Sequence, residues 1–230
     1  TSTIEHPAVL RTCSFFESLG VKVSRIPVDK EGFLDLEILE RVLQEESSLR
    51  KTEESSHCLI SVMAANNEIG TLQNLREIGR LAKEYGAVFH TDAVQAFGQI
   101  PLDMEEMRID LLSASSHKIH GPKGVGLLYI RKGLKLPAFL HGGAQERGLR
   151  AGTENVPGIV GFSAAAKEAF VGMEERGRKK IALRDLFFKR LLEEIPGIKI
   201  SGVNPLEDEG GDSSKDRYLS LLHHRLPGNV

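Results

Sequence analysis

Short apolar runs alternating with amphipathic segments most narrowly limit what this chain can become. Residues 58–63, 87–91, 111–115 and 125–130 are apolar runs of strand length. Between the first two, Leu75, Ile78, Leu81 and Ala82 recur at helical spacing, from a start at Asn74 to a stop at Gly86. Strands that alternate with helices predict an α/β protein, with a mostly parallel sheet covered by helices on both faces.

The flanking segments fit the same plan. Pro7 opens a helix with Val9, Leu10, Cys13, Phe16 and Leu19 on one side, and Gly20 stops it. Residues 21–28 alternate as a strand and residues 29–32 form a turn. Asp35 caps a helix through about Gln44, with Leu36, Leu39, Val42 and Leu43 inward. The polar residues 45–57 read as a solvated surface loop.

From about residue 158 the style changes. Helix is expected to Glu194, interrupted near Gly172 and Gly177, with Ile181, Leu186, Phe187, Leu191 and Leu192 as its apolar positions. Pro196-Gly197 breaks it; residues 198–200 read as a short strand, 204–216 as a polar loop and 218–222 as the start of another strand. Two domains are expected: residues 1–157, and residues 158–230 as a helical connection into a smaller α+β domain.

In a parallel sheet, ligands bind at the carboxyl ends of the strands. Three successive ends carry polar groups: Asn66 and Asn67 after the first run, Asp92 and Gln95 after the second, and Ser115, His117 and Lys118 after the third. Such convergence marks a binding crevice. A lysine amine forms Schiff bases with carbonyls, including the aldehyde of pyridoxal phosphate. Ser115 and His117 beside it suit a phosphate. Asp92 follows an apolar stretch, so its carboxylate needs a cationic partner, such as a protonated pyridinium nitrogen, unless it caps the next helix. The pair His117 and His120 lacks further ligands at metal spacing, so no metal site is expected. Gly121-Pro122-Lys123-Gly124 has the wrong spacing for a nucleotide-binding P-loop.

The bulk numbers are those of ordinary soluble globular material. Of 230 residues, 40% are hydrophobic and 27% charged, with a net charge of −2. No basic surface is implied for nucleic acid, and no run is long enough to span a bilayer. Cys13 and Cys58 make no disulfide framework. They are expected as buried free thiols, and the compartment as reducing and cytoplasmic. The first residues lack an initiator Met and read like the middle of a protein, and the last also break off, so a fragment is expected.

Taken in order, Ile4-Glu5-His6-Pro7-Ala8-Val9, Asn66-Asn67-Glu68-Ile69-Gly70, His90-Thr91-Asp92-Ala93-Val94-Gln95, Ser115-Ser116-His117-Lys118-Ile119-His120-Gly121-Pro122-Lys123-Gly124 and residues 142–155 resemble the cysteine desulfurase and selenocysteine lyase family over residues 1 to about 195. These are pyridoxal-phosphate enzymes related to class V aminotransferases, of fold type I. The resemblance implies that Lys118 is the Schiff-base lysine and proton shuttle, and that Asp92 is the partner of the pyridinium nitrogen. It implies that His6 stacks on the ring and relays protons, Gln95 donates to the phenolic oxygen, and Asn67 lies beside that oxygen. Ser115 and His117 become phosphate ligands. Thr153 becomes a residue lent to the neighbouring subunit's phosphate, which implies a homodimer.

The implied reaction removes sulfur from L-cysteine, leaving alanine and a persulfide for an acceptor protein, as in iron–sulfur cluster assembly. A selenocysteine lyase with the same site is the alternative, and a non-catalytic cofactor-binding remnant is a second one. The family's sulfur-accepting cysteine sits on a mobile loop that would fall beyond Val230, its glycine/threonine-containing phosphate loop falls before residue 1, and its substrate-binding arginine falls toward the C-terminus. The fragment alone is therefore expected to be inactive. Neither Cys13 nor Cys58 has the surroundings of a mobile nucleophile.

Overall fold

Helix α3 (Leu75–Glu84) shows how closely local sequence governs this fold. Asn74 caps it through its side chain, which accepts from the Glu77 N–H, and Leu75, Ile78, Leu81 and Ala82 are all buried. Gly86 then turns the chain at a φ of 63°, a conformation that suits glycine. The computed structural model describes residues 1–50, 57–207, 222 and 224–230. In it, α3 joins strand β1 (Leu59–Ser61) to β2 (Val88–Asp92), as a crossover between parallel neighbours requires.

The sheet runs β1-β2-β3-β4, with β3 at Leu111–Ser115 and β4 at Gly126–Ile130. The first two pairings are parallel and the β3–β4 pairing is antiparallel. The mostly parallel α/β plan read from the sequence therefore holds. Hydrogen bonds extend it past the short β1: Val62 donates to the His90 carbonyl and Ala64 to that of Asp92. Ile60, Phe89, Leu112 and Ala114 bury one face of the sheet in a continuous core.

Helices α1 (Pro7–Ser18), α2 (Leu36–Arg50), α4 (Val156–Val171) and α5 (Met173–Glu194) complete the described architecture. Phe162 of α4 and Ile181 of α5 enter the same core as the sheet.

Several expectations are corrected. Residues 21–28 do not form a strand. Only isolated bridges occur, Ser2 with Ile26 and Val28 with Leu34, and Pro27 has no N–H to extend a ladder. The polar segment after Gln44 continues as helix to Arg50, because glutamate, leucine and arginine are good helix formers whatever their exposure. Lys22 pairs with Glu46 at 2.5 Å along it; residues 51–56 lie outside the described residues.

Gly177 does not interrupt α5 but is buried within it, so the one break is at Gly172. The buried side of α5 is Ile181, Arg184 and Phe188, whereas Leu186, Phe187 and Leu192 are exposed. Residues 198–200 are not a strand. They line a cavity of about 250 Å³ with Phe187, Phe188 and Leu191, and the nearby carbonyls of Ser201 and Val203 accept from the Arg225 guanidinium. The expected strand at 218–222 and most of the loop at 204–216 lie outside the described residues. On α1, Phe16 and Leu19 are exposed rather than inward. Cys13 and Cys58 are half-buried rather than fully buried.

Candidate active site

Side chains alternate across a strand, so residues two apart share a face. Ser61 on β1, His90 and Asp92 on β2, and Ser113 and Ser115 on β3 all lie on the face opposite the core residues just named. Register joins them: Ser61 is opposite His90, and Asp92 is opposite Ser113. The sheet thus carries a polar stripe that climbs toward the carboxyl ends of its parallel strands.

Asp92 closes β2. It is half-buried, and its Oδ1 accepts from the Val94 N–H at 2.9 Å. Among the described residues nothing engages Oδ2. Gln95 is half-buried in the turn that follows, three residues on. The expected role of Asp92 as a cap is therefore real, yet it occupies only one carboxylate oxygen.

Lys118 lies on a single 3-10 turn, Ser116–Ile119, directly after β3. Its amine is exposed and has no ion-pair partner among the described residues. Ser115 Oγ and His117 Nδ1 are 2.8 Å apart. The turn is clamped at both ends, since Ser116 donates to the Val125 carbonyl and Gly121 to that of Ser116. Helix α4 presses on it from outside. A Cβ on Gly161 would come within 2.5 Å of the Pro122 ring, so the loop carrying Lys118 rests on a helix that has no side chain at that point.

The N-terminal segment docks beside the end of β1. Glu5 is only 4% exposed, and its Oε1 accepts from Ser2 Oγ at 2.5 Å and from the Met63 N–H at 2.9 Å. Asn66 donates to the Ile4 carbonyl at 3.0 Å. His6 follows this docked segment, and its Nδ1 caps α1 by accepting from Ala8 N at 3.2 Å while its ring stays exposed. Burial pushes the Glu5 carboxyl above the usual range, against hydrogen bonds from Ser2 and Met63, and the nearby Asp92 charge adds to the rise.

The two neighbouring asparagines divide the work. Asn66 is buried and its Oδ1 accepts from Glu68 and Ile69, closing the turn. Asn67 is half-buried, with its side chain uncommitted among the described residues. Thr153 is exposed on the loop before α4, and no hydrogen bond links it to the other candidates among the described residues.

Sequence reasoning missed Glu5, Ser61, His90 and Ser113 as parts of this site. For the three strand residues a signal was present: β1 ends on a serine, β2 turns polar at His90 and β3 carries serines at 113 and 115, where a doubly covered strand would be apolar throughout. His90 is hydrogen-bonded on both sides, Nδ1 to Ser61 Oγ at 2.8 Å and Nε2 to Ser113 Oγ at 2.9 Å. Burial pushes its imidazole below the usual histidine range, and the opposing charge of Asp92 is the smaller effect.

The ends of adjacent parallel strands carry a lysine, a carboxylate with one uncommitted oxygen and an imidazole-hydroxyl pair, and such a set marks the class of protein suited to an anionic, carbonyl-bearing cofactor. The family comparison is specific: the aminotransferase class-V model matches residues 1–211, and the chain belongs to that family. The chain is 46% identical over 202 residues to cysteine desulfurase IscS of Dictyoglomus turgidum, covering 88% of this chain and 49% of that protein. Against cysteine desulfurase IscS of Clostridium botulinum strain Hall it is 46% identical over 230 residues, covering 100% of this chain and 51% of that one. It thus spans about half the length of the curated relatives it matches.

Among solved structures, a NifS-like protein superposes with a TM-score of 0.76 at 42% identity, covering 84% of this chain and 51% of that chain. SspA in complex with cysteine gives 0.62 at 40% identity, covering 72% and 46%. The fold is that of the fold type I group, and family membership implies pyridoxal 5'-phosphate as cofactor. The donors present suit it: the free oxygen of Asp92 fits a protonated ring nitrogen, Ser115 and His117 fit a phosphate, and the Lys118 amine fits an aldehyde. Among the described residues no three His, Cys, Asp or Glu side chains cluster as metal ligands, and no helix is long and apolar enough to cross a membrane.

Proposed function

We propose that this chain provides the cofactor-holding part of a cysteine desulfurase, which releases sulfur from L-cysteine and leaves alanine. The observation that carries the reading is the placement of Asp92 and Lys118 at adjacent parallel strand ends, each held by hydrogen bonds independent of a ligand. When bound, pyridoxal 5'-phosphate supplies the electron sink that makes cleavage at the substrate's Cβ feasible.

The chain's own residues do the rest. The Asp92 carboxylate accepts a hydrogen bond from the ring nitrogen and keeps its proton in place. Ser115 and His117 anchor the phosphate, and Lys118 Nζ tethers the cofactor and moves protons at the substrate carbon. His6 stacks on the ring, Gln95 donates to the phenolic oxygen and Asn67 lies beside it. Thr153 serves the phosphate of a second copy in a homodimer. The resulting sulfur passes to an acceptor other than Cys13 on α1 and Cys58 before β1, both of which are half-buried. Residues 1–157 act as the cofactor-binding domain and residues 158–230 as the connection to a smaller one.

The test is spectroscopic. Cofactor-free protein mixed with pyridoxal 5'-phosphate should develop a visible absorption band that is absent in Lys118→Ala and weakened in Asp92→Ala. A band of equal strength in Lys118→Ala overturns the assignment.

A further inference from the structure

His90 is half-buried, titratable and unused by the chemistry just described. It sits on β2 two residues before Asp92, so the two side chains rise from the same face, His90 one step deeper. Its ring reaches sideways to both neighbouring strands, 2.8 Å from Ser61 Oγ on β1 and 2.9 Å from Ser113 Oγ on β3. Ser113 is itself the register partner of Asp92. A row of side-chain hydrogen bonds therefore crosses all three parallel strands directly beneath the carboxylate.

We propose that His90 is a positioning residue, which through its bridge between Ser61 and Ser113 fixes the strand spacing under Asp92 and so sets how Asp92 meets the cofactor's ring nitrogen. The inference rests on the reading of Asp92 as that nitrogen's partner.

Two features of the sheet support it. First, Asp92 ends its strand, so its placement depends on the ladder behind it: Ala64 donates to its carbonyl, and Ala93 donates to the carbonyl of Ser113. Loosening either flanking strand moves the carboxylate, and a shift on the ångström scale is enough to impair a preorganised site. Second, among the described residues the charge that acts on the ring is that of Asp92, since β1 and β3 present hydroxyls. Burial keeps the imidazole neutral, so one ring nitrogen donates and the other accepts, matching one serine on each side. A cation in its place would pair with Asp92 and weaken its hold on the ring proton.

The experiment uses the whole protein, stripped of cofactor and titrated with pyridoxal 5'-phosphate. Two quantities are read: the dissociation constant, and the pH midpoint of the Lys118-dependent absorption band. His90→Phe fills the space without either hydrogen bond; His90→Gln can keep one donor and one acceptor. His90→Phe is expected to weaken binding about tenfold, the scale on which removing an outer partner of a ligand acts, and to displace the pH midpoint by about half a unit or more. His90→Gln should fall between it and the parent, and it carries the test if His90→Phe does not fold. A merely structural histidine would leave the midpoint where it was. Unchanged midpoint and affinity in the folded variants overturn the inference while the parent's band upholds the cofactor reading. A parent with no Lys118-dependent band overturns that reading, and the inference with it.

Discussion

Replacing Glu5 with alanine tests how the N-terminal segment is held against the sheet. The Glu5 side chain accepts from Ser2 Oγ at 2.5 Å and from the Met63 N–H at 2.9 Å, and Met63 is itself buried. Alanine leaves that backbone donor buried without a partner, which costs about 1–3 kcal/mol. Loss of the buried methylene contact adds about 1 kcal/mol. The expected loss is therefore about 2–4 kcal/mol, read by urea unfolding.

The loss must also depend on pH. Burial raises the Glu5 carboxyl above its ordinary value of 4.5. A raised folded-state value means that the folded state holds the proton more tightly. The stability this contributes is full below about 4.5 and fades as pH rises through the folded value. The parent protein thus loses part of Glu5's contribution on going to alkaline pH, and the gap between parent and Glu5→Ala should be wider at pH 5 than at pH 8. Glu5→Gln keeps the accepting oxygen and cannot titrate, so it should unfold close to the parent and show no such change. A loss below about 0.5 kcal/mol for Glu5→Ala at pH 5, or a gap that does not narrow with pH, would refute the reasoning.

Two further substitutions test the packing behind the site. Thr91 is fully buried between His90 and Asp92, with its Oγ1 unpartnered among the described residues, so Thr91→Val should stabilise by about 1 kcal/mol in the same unfolding assay; a clear loss would show that the hydroxyl has a partner. Gly79 lies inside α3, where alanine normally gains about 1 kcal/mol, but a Cβ there would stand 2.0 Å from the Met107 carbonyl oxygen. Backbone cannot swing aside, so Gly79→Ala should lower stability by about 1–3 kcal/mol net of that gain, and a rise in the unfolding midpoint would count against the close approach.

Much of the site is local and was therefore legible in the residues. Asn74 caps its own helix, Gly86 makes its own turn, and Lys118 follows its strand within three residues; such features depend on neighbours in the chain. The carboxyl ends of parallel strands necessarily share one edge, so the grouping of Asn67, Asp92 and Lys118 followed from the alternation of strands and helices. The failures have a common cause. Residues 21–28 and 198–200 have strand-like patterns, but a ladder needs a partner, and the chain supplied single bridges to the first and an arginine side chain near the second. The helix through Arg50 failed the other way, since exposure says little about whether good helix formers stay helical.

Sequence alone therefore determined the class of fold and the order of the elements from α3 to β4, and it offered the residues proposed to meet a carbonyl-bearing phosphate cofactor, because each depends on periodicity or on chemistry carried by single side chains. Only the tertiary structure decided what stands behind them. Glu5 reaches Met63 across 58 positions and His90 reaches Ser61 and Ser113 across 29 and 23. Docking of the N-terminal segment sets the first contact and register between strands sets the others, and both are settled by the packing of the whole sheet rather than by any one segment.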